Sequence, residues 1–185
     1  HTQHHPLTPL NPPLNPSGAQ FGYDVAWVGD LDADGYEDAV VTASHASDPA
    51  GEINVGGIWL YRGLEGGELS AGERAARFPG LSSWDHTRGV SGVGDFNGDG
   101  YDDFAVAIGN DERPRTWTED FWLPDDLSGE LEASCAPYFN DQGGVYVFFG
   151  GPGADLRPDM VLFGDAEGLI PERITGGVDL NGDGL

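Results

Sequence analysis

The stretch Gly29-Asp-Leu-Asp-Ala-Asp-Gly-Tyr-Glu-Asp-Ala-Val-Val41 recurs as Gly94-Asp-Phe-Asn-Gly-Asp-Gly-Tyr-Asp-Asp-Phe-Ala-Val106, and Asp179-Leu-Asn-Gly-Asp-Gly opens the same phrase a third time. Oxygen-bearing side chains stand at positions 1, 3, 5 and 9 of each complete copy: Asp30, Asp32, Asp34 and Asp38, then Asp95, Asn97, Asp99 and Asp103. Gly35 and Gly100 hold position 6, where a sharp turn needs a backbone free of Cβ strain. The odd-numbered oxygens then converge on one point, and Tyr36 or Tyr101 at position 7 can add a backbone carbonyl. An oxygen-only set of this kind suits a hard cation, and flexible coordination favours Ca²⁺ over octahedral Mg²⁺. Without a cation the crowded carboxylates repel one another. The partial third copy offers Asp179, Asn181 and Asp183 to the same purpose. The bland alternative is an acidic Asp/Gly turn that holds no ion.

The residues after each loop separate the known uses of such spacing. An EF-hand requires flanking helices and a bidentate Glu at position 12. Val41 and Val106 stand there instead, inside apolar strands, and a dockerin-like reading fails on the same position. Thrombospondin-type calcium repeats are dense in cysteine, whereas Cys135 is the only cysteine here.

From Phe21 onward the chain reads as short strands between Gly, Asp and Pro turns. The expected strands of the first unit are 23–30, 36–44 and 56–63, with 76–80 as a weaker fourth. Those of the second are 88–95, 101–109, 143–151 and 159–165. No segment longer than about ten residues carries a 3.6-residue stripe, so the chain is expected to be all-β. Ile58-Trp-Leu-Tyr61 and Val145-Tyr-Val-Phe-Phe149 are apolar on both alternating faces, and such strands need cover on both sides. Four-stranded sheets stacked face to face, as in a β-propeller, satisfy that demand. Asp30 and Asp95 lie 65 residues apart and Asp95 and Asp179 lie 84 apart, so one repeat is lengthened by an insertion, 113–142. A period of this size suits a four-stranded blade.

These loops, the Phe21-Gly22 pair ahead of the first, and the Gly-Val-Tyr-Val-Phe-Phe-Gly strand at 144–150 resemble the FG-GAP repeat of integrin α-subunit β-propellers and their bacterial relatives. The resemblance covers roughly residues 17–185. It implies that each loop joins the first two strands of a blade and holds one Ca²⁺, through Asp30, Asp32, Asp34, the Tyr36 carbonyl and Asp38, and through Asp95, Asn97, Asp99, the Tyr101 carbonyl and Asp103. It also implies a division into a Pro-rich arm or linker (1–20), one blade (21–80), a second blade carrying the insertion (81–165) and the start of a third (166–185). His86-Thr87 stands where the second unit would have Phe-Gly, and Ile170-Pro171 where the third would. Since propellers have typically 4–8 blades, the chain is read as part of a larger ring. That ring is completed by further polypeptide or by other chains.

Composition narrows the function. Against 32 acidic residues stand 8 basic ones, all Arg, for a formal charge of −24. Such a surface repels phosphate backbones and anionic headgroups, so neither nucleic acid nor membrane insertion is expected. The chain starts at His1 with no basic n-region or apolar h-region, as one without its leader, or one cut at a chosen boundary, would. His1, His4 and His5 form no more than a His-rich end. The insertion carries Trp117, Phe121, Trp122, Tyr138 and Phe139, rings suited either to a protein or glycan partner or to covering a blade edge. No nucleophile elbow, zincin motif or phosphate loop is present. Asp85, His86, Arg88 and Tyr101 can be imagined as an acid–base set, but a packed histidine is the ordinary explanation of His86. The expectation is a secreted or cell-surface, calcium-binding propeller that is not an enzyme and acts in adhesion, partner binding or assembly. The alternative is the propeller domain of a secreted polysaccharide lyase or hydrolase.

Overall fold

Every residue of Asp38–Ala43 and of Gly57–Tyr61 is buried, which a strand achieves only when both faces of its sheet are covered. In the computed structural model of this chain these are β2 and β3, the middle strands of a four-stranded antiparallel sheet. The structure describes residues 18–47, 56–70, 73–74, 86–109, 143–154, 156–163 and 173–176. β1 (Phe21–Gly29) and β6 (Glu73–Arg74) flank the pair in the order β1-β2-β3-β6. Between β3 and β6, β4 (Gly63–Leu64) and β5 (Glu68–Leu69) form a small hairpin. The second sheet runs in sequence order through β7 (His86–Gly94), β8 (Asp103–Gly109), β9 (Gly144–Phe148) and β10 (Met160–Phe163). No helix occurs among the described residues. Each sheet is an up-and-down antiparallel meander, the construction of a propeller blade.

The two sheets share one core. Val28, Val40, Ile58 and Leu60 of the first pack against Val90, Phe104, Val106, Ile108, Tyr146 and Phe148 of the second. Phe104 and Phe148 stack on neighbouring strands with ring centroids 4.6 Å apart. Burying each such side chain stabilises the seam by roughly 1.5–3 kcal/mol. On its other face the first sheet gathers Ala39, Val41, Ala43, Ala46, Trp59 and Tyr61, with Phe21 set edge-on to Trp59 at 5.3 Å.

The inner strands show how the repeat stacks. β7 lies against β1. A Cβ on Gly92 would stand 3.0 Å from the Val28 Cα, so this near approach of the backbones uses the missing side chain. Gly176 then lies against Gly92 and Val93 and donates its N–H to Ser91 Oγ at 3.2 Å. Gly176 thus lies against β7 as Gly92 lies against β1.

The middle strands fall where the apolar pattern placed them. The fourth strand of the first sheet is Glu73–Arg74, ahead of the expected 76–80, which lies outside the described residues. Two-residue strands such as β4, β5 and β6 carry no readable period, because strand pairing rather than patterning defines them. The arm up to residue 17 and the insertion 113–142 also lie outside the described residues.

Candidate metal sites

Each acidic loop links an inner strand to its neighbour: residues 30–37 join β1 to β2, and residues 95–102 join β7 to β8. Gly35 and Gly100, with φ of 93° and 95°, supply the left-handed turn that the sequence required at position 6. Inside the turn the two loops share a core of hydrogen bonds, to which the second adds Gly98 N–H to Asp95 at 2.8 Å and Asn97 Nδ2–H to Asp99 at 2.9 Å. The position-1 carboxylate accepts the N–H groups of positions 5 and 6, from Asp34 and Gly35 to Asp30 (3.0 and 2.8 Å) and from Asp99 and Gly100 to Asp95 (2.9 and 2.8 Å). Position 3 accepts the position-5 N–H, to Asp32 at 3.3 Å and to Asn97 at 2.9 Å. Position 5 accepts the N–H of Tyr36 at 2.9 Å or Tyr101 at 3.0 Å. These bonds draw the side chains inward. One carboxylate oxygen each from Asp30, Asp32 and Asp34 lies within 4.8 Å of the others. Oxygens sharing one calcium ion at 2.3–2.6 Å stand no more than about 5 Å apart, so the three could hold such an ion.

Position 9 is different in kind. Asp38 and Asp103 open β2 and β8 and are completely buried. In both, Oδ2 accepts the N–H of position 2 (Leu31 at 3.2 Å, Phe96 at 2.8 Å). Oδ1 accepts the N–H of a glycine beyond the third strand, Gly63 or Gly150, at 2.8 Å in each case. The position-9 carboxylate therefore ties its loop to the segment that follows the third strand. Burial pushes the Asp38 carboxyl above its ordinary range, against the pull of the Gly63 N–H, the Arg62 charge and the Leu31 N–H. Burial likewise raises Asp103, opposed by the N–H groups of Gly150, Phe96 and Asn97. A negative charge held in such a place is costly unless a cation is near.

The first loop is also held from the second blade. Asp102, at position 8 of the second loop, accepts the Asp30 N–H on Oδ2 at 2.8 Å and returns its own N–H to the Asp30 carbonyl at 3.4 Å. Gly151 donates to the Leu31 carbonyl at 2.7 Å. Gly29, with φ of 84°, leaves room for the Asp102 carboxylate, which a Cβ there would overlap. Further along the seam, Thr87 Oγ1 accepts the Gly57 N–H at 3.2 Å and donates to the Ala43 carbonyl at 3.1 Å. Thr42 Oγ1 reaches the Arg88 carbonyl at 3.1 Å, and Asp24 Oδ2 accepts the Val90 N–H at 3.0 Å. The Thr that replaces the expected Gly at 87 thus fastens the blades together.

Of the residues read from the sequence, Asp30, Asp32, Asp34, Tyr36 and Asp38 fall in one loop and Asp95, Asn97, Asp99, Tyr101 and Asp103 in the other. Asp179, Asn181 and Asp183 lie outside the described residues, as do Trp117, Phe121, Trp122, Tyr138 and Phe139. Asp85 lies outside them too, while His86 packs edge-on to His45 with ring centroids 4.2 Å apart. Sequence reasoning missed Asp102 and Arg62. Arg62 Nη1 stands 3.4 Å from Asp32 Oδ2 and 3.2 Å from Asp38 Oδ2, and Nη2 donates to the Ala154 carbonyl at 3.3 Å. Neither residue belongs to the ligand pattern of the repeated phrase, and only three-dimensional proximity marks them.

Antiparallel four-stranded blades stacked through an apolar seam, each with a D-x-[DN]-x-D-G-Y-x-D loop between its first two strands, make this a stretch of integrin α-like β-propeller built from FG-GAP-type repeats. The chain is 31% identical over 166 residues to Integrin alpha-6 of Gallus gallus, covering 88% of this chain and 12% of that protein. It is 28% identical over 184 residues to Integrin alpha-PS2 of Drosophila melanogaster, covering 90% of this chain and 11% of that protein. Integrin alpha-6 of Homo sapiens is 29% identical over 167 residues, again 88% of this chain and 12% of that protein. The chain therefore spans only about an eighth of the length of these relatives. No family model matches it.

Proposed function

We propose that the two complete loops each hold a Ca²⁺ ion, and that the ions stiffen blades of a secreted or cell-surface propeller that serves adhesion. The observation that carries this reading is the duplicated loop. Two segments of differing sequence build the same core of inward-turned hydrogen bonds, and both finish on a fully buried carboxylate. The ligands would be Asp30, Asp32, Asp34, the Tyr36 carbonyl and Asp38, and their counterparts Asp95, Asn97, Asp99, the Tyr101 carbonyl and Asp103. Asp179, Asn181 and Asp183 would contribute to a third site of the same kind.

The likeness to integrin α subunits supports adhesion rather than catalysis, and the partner would be a protein, a glycan or a neighbouring subunit. Trp117, Phe121, Trp122, Tyr138 and Phe139 are the rings proposed to meet it. Isothermal titration of the chelator-stripped chain with Ca²⁺ tests the reading. Two or more bound ions per chain are expected, and D34A and D99A should each remove one. A flat titration, or a stoichiometry unmoved by either substitution, would sink it.

A further inference from the structure

The two loops share one core of hydrogen bonds but differ in what faces their acidic oxygens. Gly63 and Gly150 make the same bond to their position-9 carboxylates, which sets Arg62 of the first blade in register with Phe149 of the second. Arg62 places one guanidinium nitrogen between Asp32 and Asp38, positions 3 and 9 of the first loop. Its other nitrogen is anchored on the Ala154 carbonyl, and its backbone N–H on Ser70 Oγ at 2.8 Å. Phe149 carries no charge, and its N–H is bonded to Asp159 Oδ2 at 2.7 Å. Among the described residues the ion pairs of the two loops are those of Arg62 alone.

We propose that Arg62 is a tethered counter-ion that lowers the cation affinity of the first loop below what its four carboxylates alone would give. The inference rests on the calcium reading of both loops. A unit positive charge fixed beside two candidate ligands satisfies part of their charge in advance and repels an arriving dication. In the second loop position 3 is the neutral Asn97 and no arginine stands beside Asp103 among the described residues, so its three carboxylates carry the same net charge as the four carboxylates and Arg62 of the first. Two such charges a few ångström apart, screened nearly as in water, change an equilibrium on the order of tenfold.

The experiment uses the full chain and Ca²⁺ alone, titrated calorimetrically at fixed ionic strength after chelation. D99A silences the second loop and reports the first; D34A does the reverse. R62Q should tighten the first loop by about tenfold and leave the second within twofold. F149R should weaken the second loop by a comparable factor, and this holds the proposal to account should R62Q fold poorly. Circular dichroism before each titration establishes the fold. An R62Q first loop that binds no more tightly than the parent overturns the role of Arg62 while leaving the calcium reading intact. Absence of heat in every variant overturns both together.

Discussion

Asp38 and Asp103 show how one carboxylate can hold a loop before any ion arrives. Asp103 accepts N–H groups from Gly150, Phe96 and Asn97, while an asparagine in its place would offer a single acceptor oxygen and turn its amide toward donors. D103N should therefore cost about 2 kcal/mol in denaturant unfolding run in excess chelator, where no ion contributes. The cost should also depend on pH. Burial raises the folded pKa of Asp103 above the ordinary 3.8, so the folded state holds the proton more firmly than the unfolded one. Its contribution to stability is then largest at low pH and falls as pH rises through the window between 3.8 and the folded value. The cost of D103N should shrink across that window in chelator. A cost that grows there would mean that the hydrogen bonds, not burial, govern the group.

At the scale of elements, the loops serve the seam as much as the seam serves the loops. Asp102 reaches out of the second loop to the first residue of the first loop, and it can do so only because Gly29 has no side chain and sits at φ 84°. D102A should cost roughly 1.5–3 kcal/mol, the range for a hydrogen bond to a charged group. G29A should cost about 2 kcal/mol or more, from the strained backbone and the overlap with the Asp102 carboxylate. In the double variant the overlap is gone, so the combined cost should be less than the sum of the two. Strict additivity in the cycle would show that Gly29 answers to its backbone angle alone.

Over the whole molecule the repeat gives equivalent positions unequal surroundings. Tyr23, Val25 and Trp27 form an exposed stripe on the face of β1 turned from the second sheet, at 50%, 65% and 63% exposure. Val90, 65 residues beyond Val25 and so in register with it, is 5% exposed because it faces the first blade. V25A should change stability by no more than about 0.5 kcal/mol, whereas V90A should cost about 2 kcal/mol. Equal effects would refute the stacking of one blade on the other. Bound ions stabilise the whole assembly by mass action, by about 2.7 kcal/mol per site at a hundredfold excess over Kd. Excess chelator is expected to lower the thermal midpoint by several degrees, and an unchanged midpoint would deny the ions a structural role.

The local chemistry was legible in the order of residues. Odd-numbered oxygens around a position-6 glycine specify an inward-turned loop, because each hydrogen bond within it spans five residues or fewer. Strands apolar on both faces announce stacked sheets, since burial on two sides leaves no room for alternation. Those features place β2, β3, β8 and β9 and both acidic loops without reference to anything distant. Tertiary structure decided the rest. That Asp102 holds Asp30 across 72 residues, that Thr87 fastens β2 to β7, and that Arg62 stands beside Asp32 are facts about neighbours in space. Short strands such as β6 exist only because β3 offers them an edge. No periodicity encodes such contacts, because each depends on which residues the fold brings together.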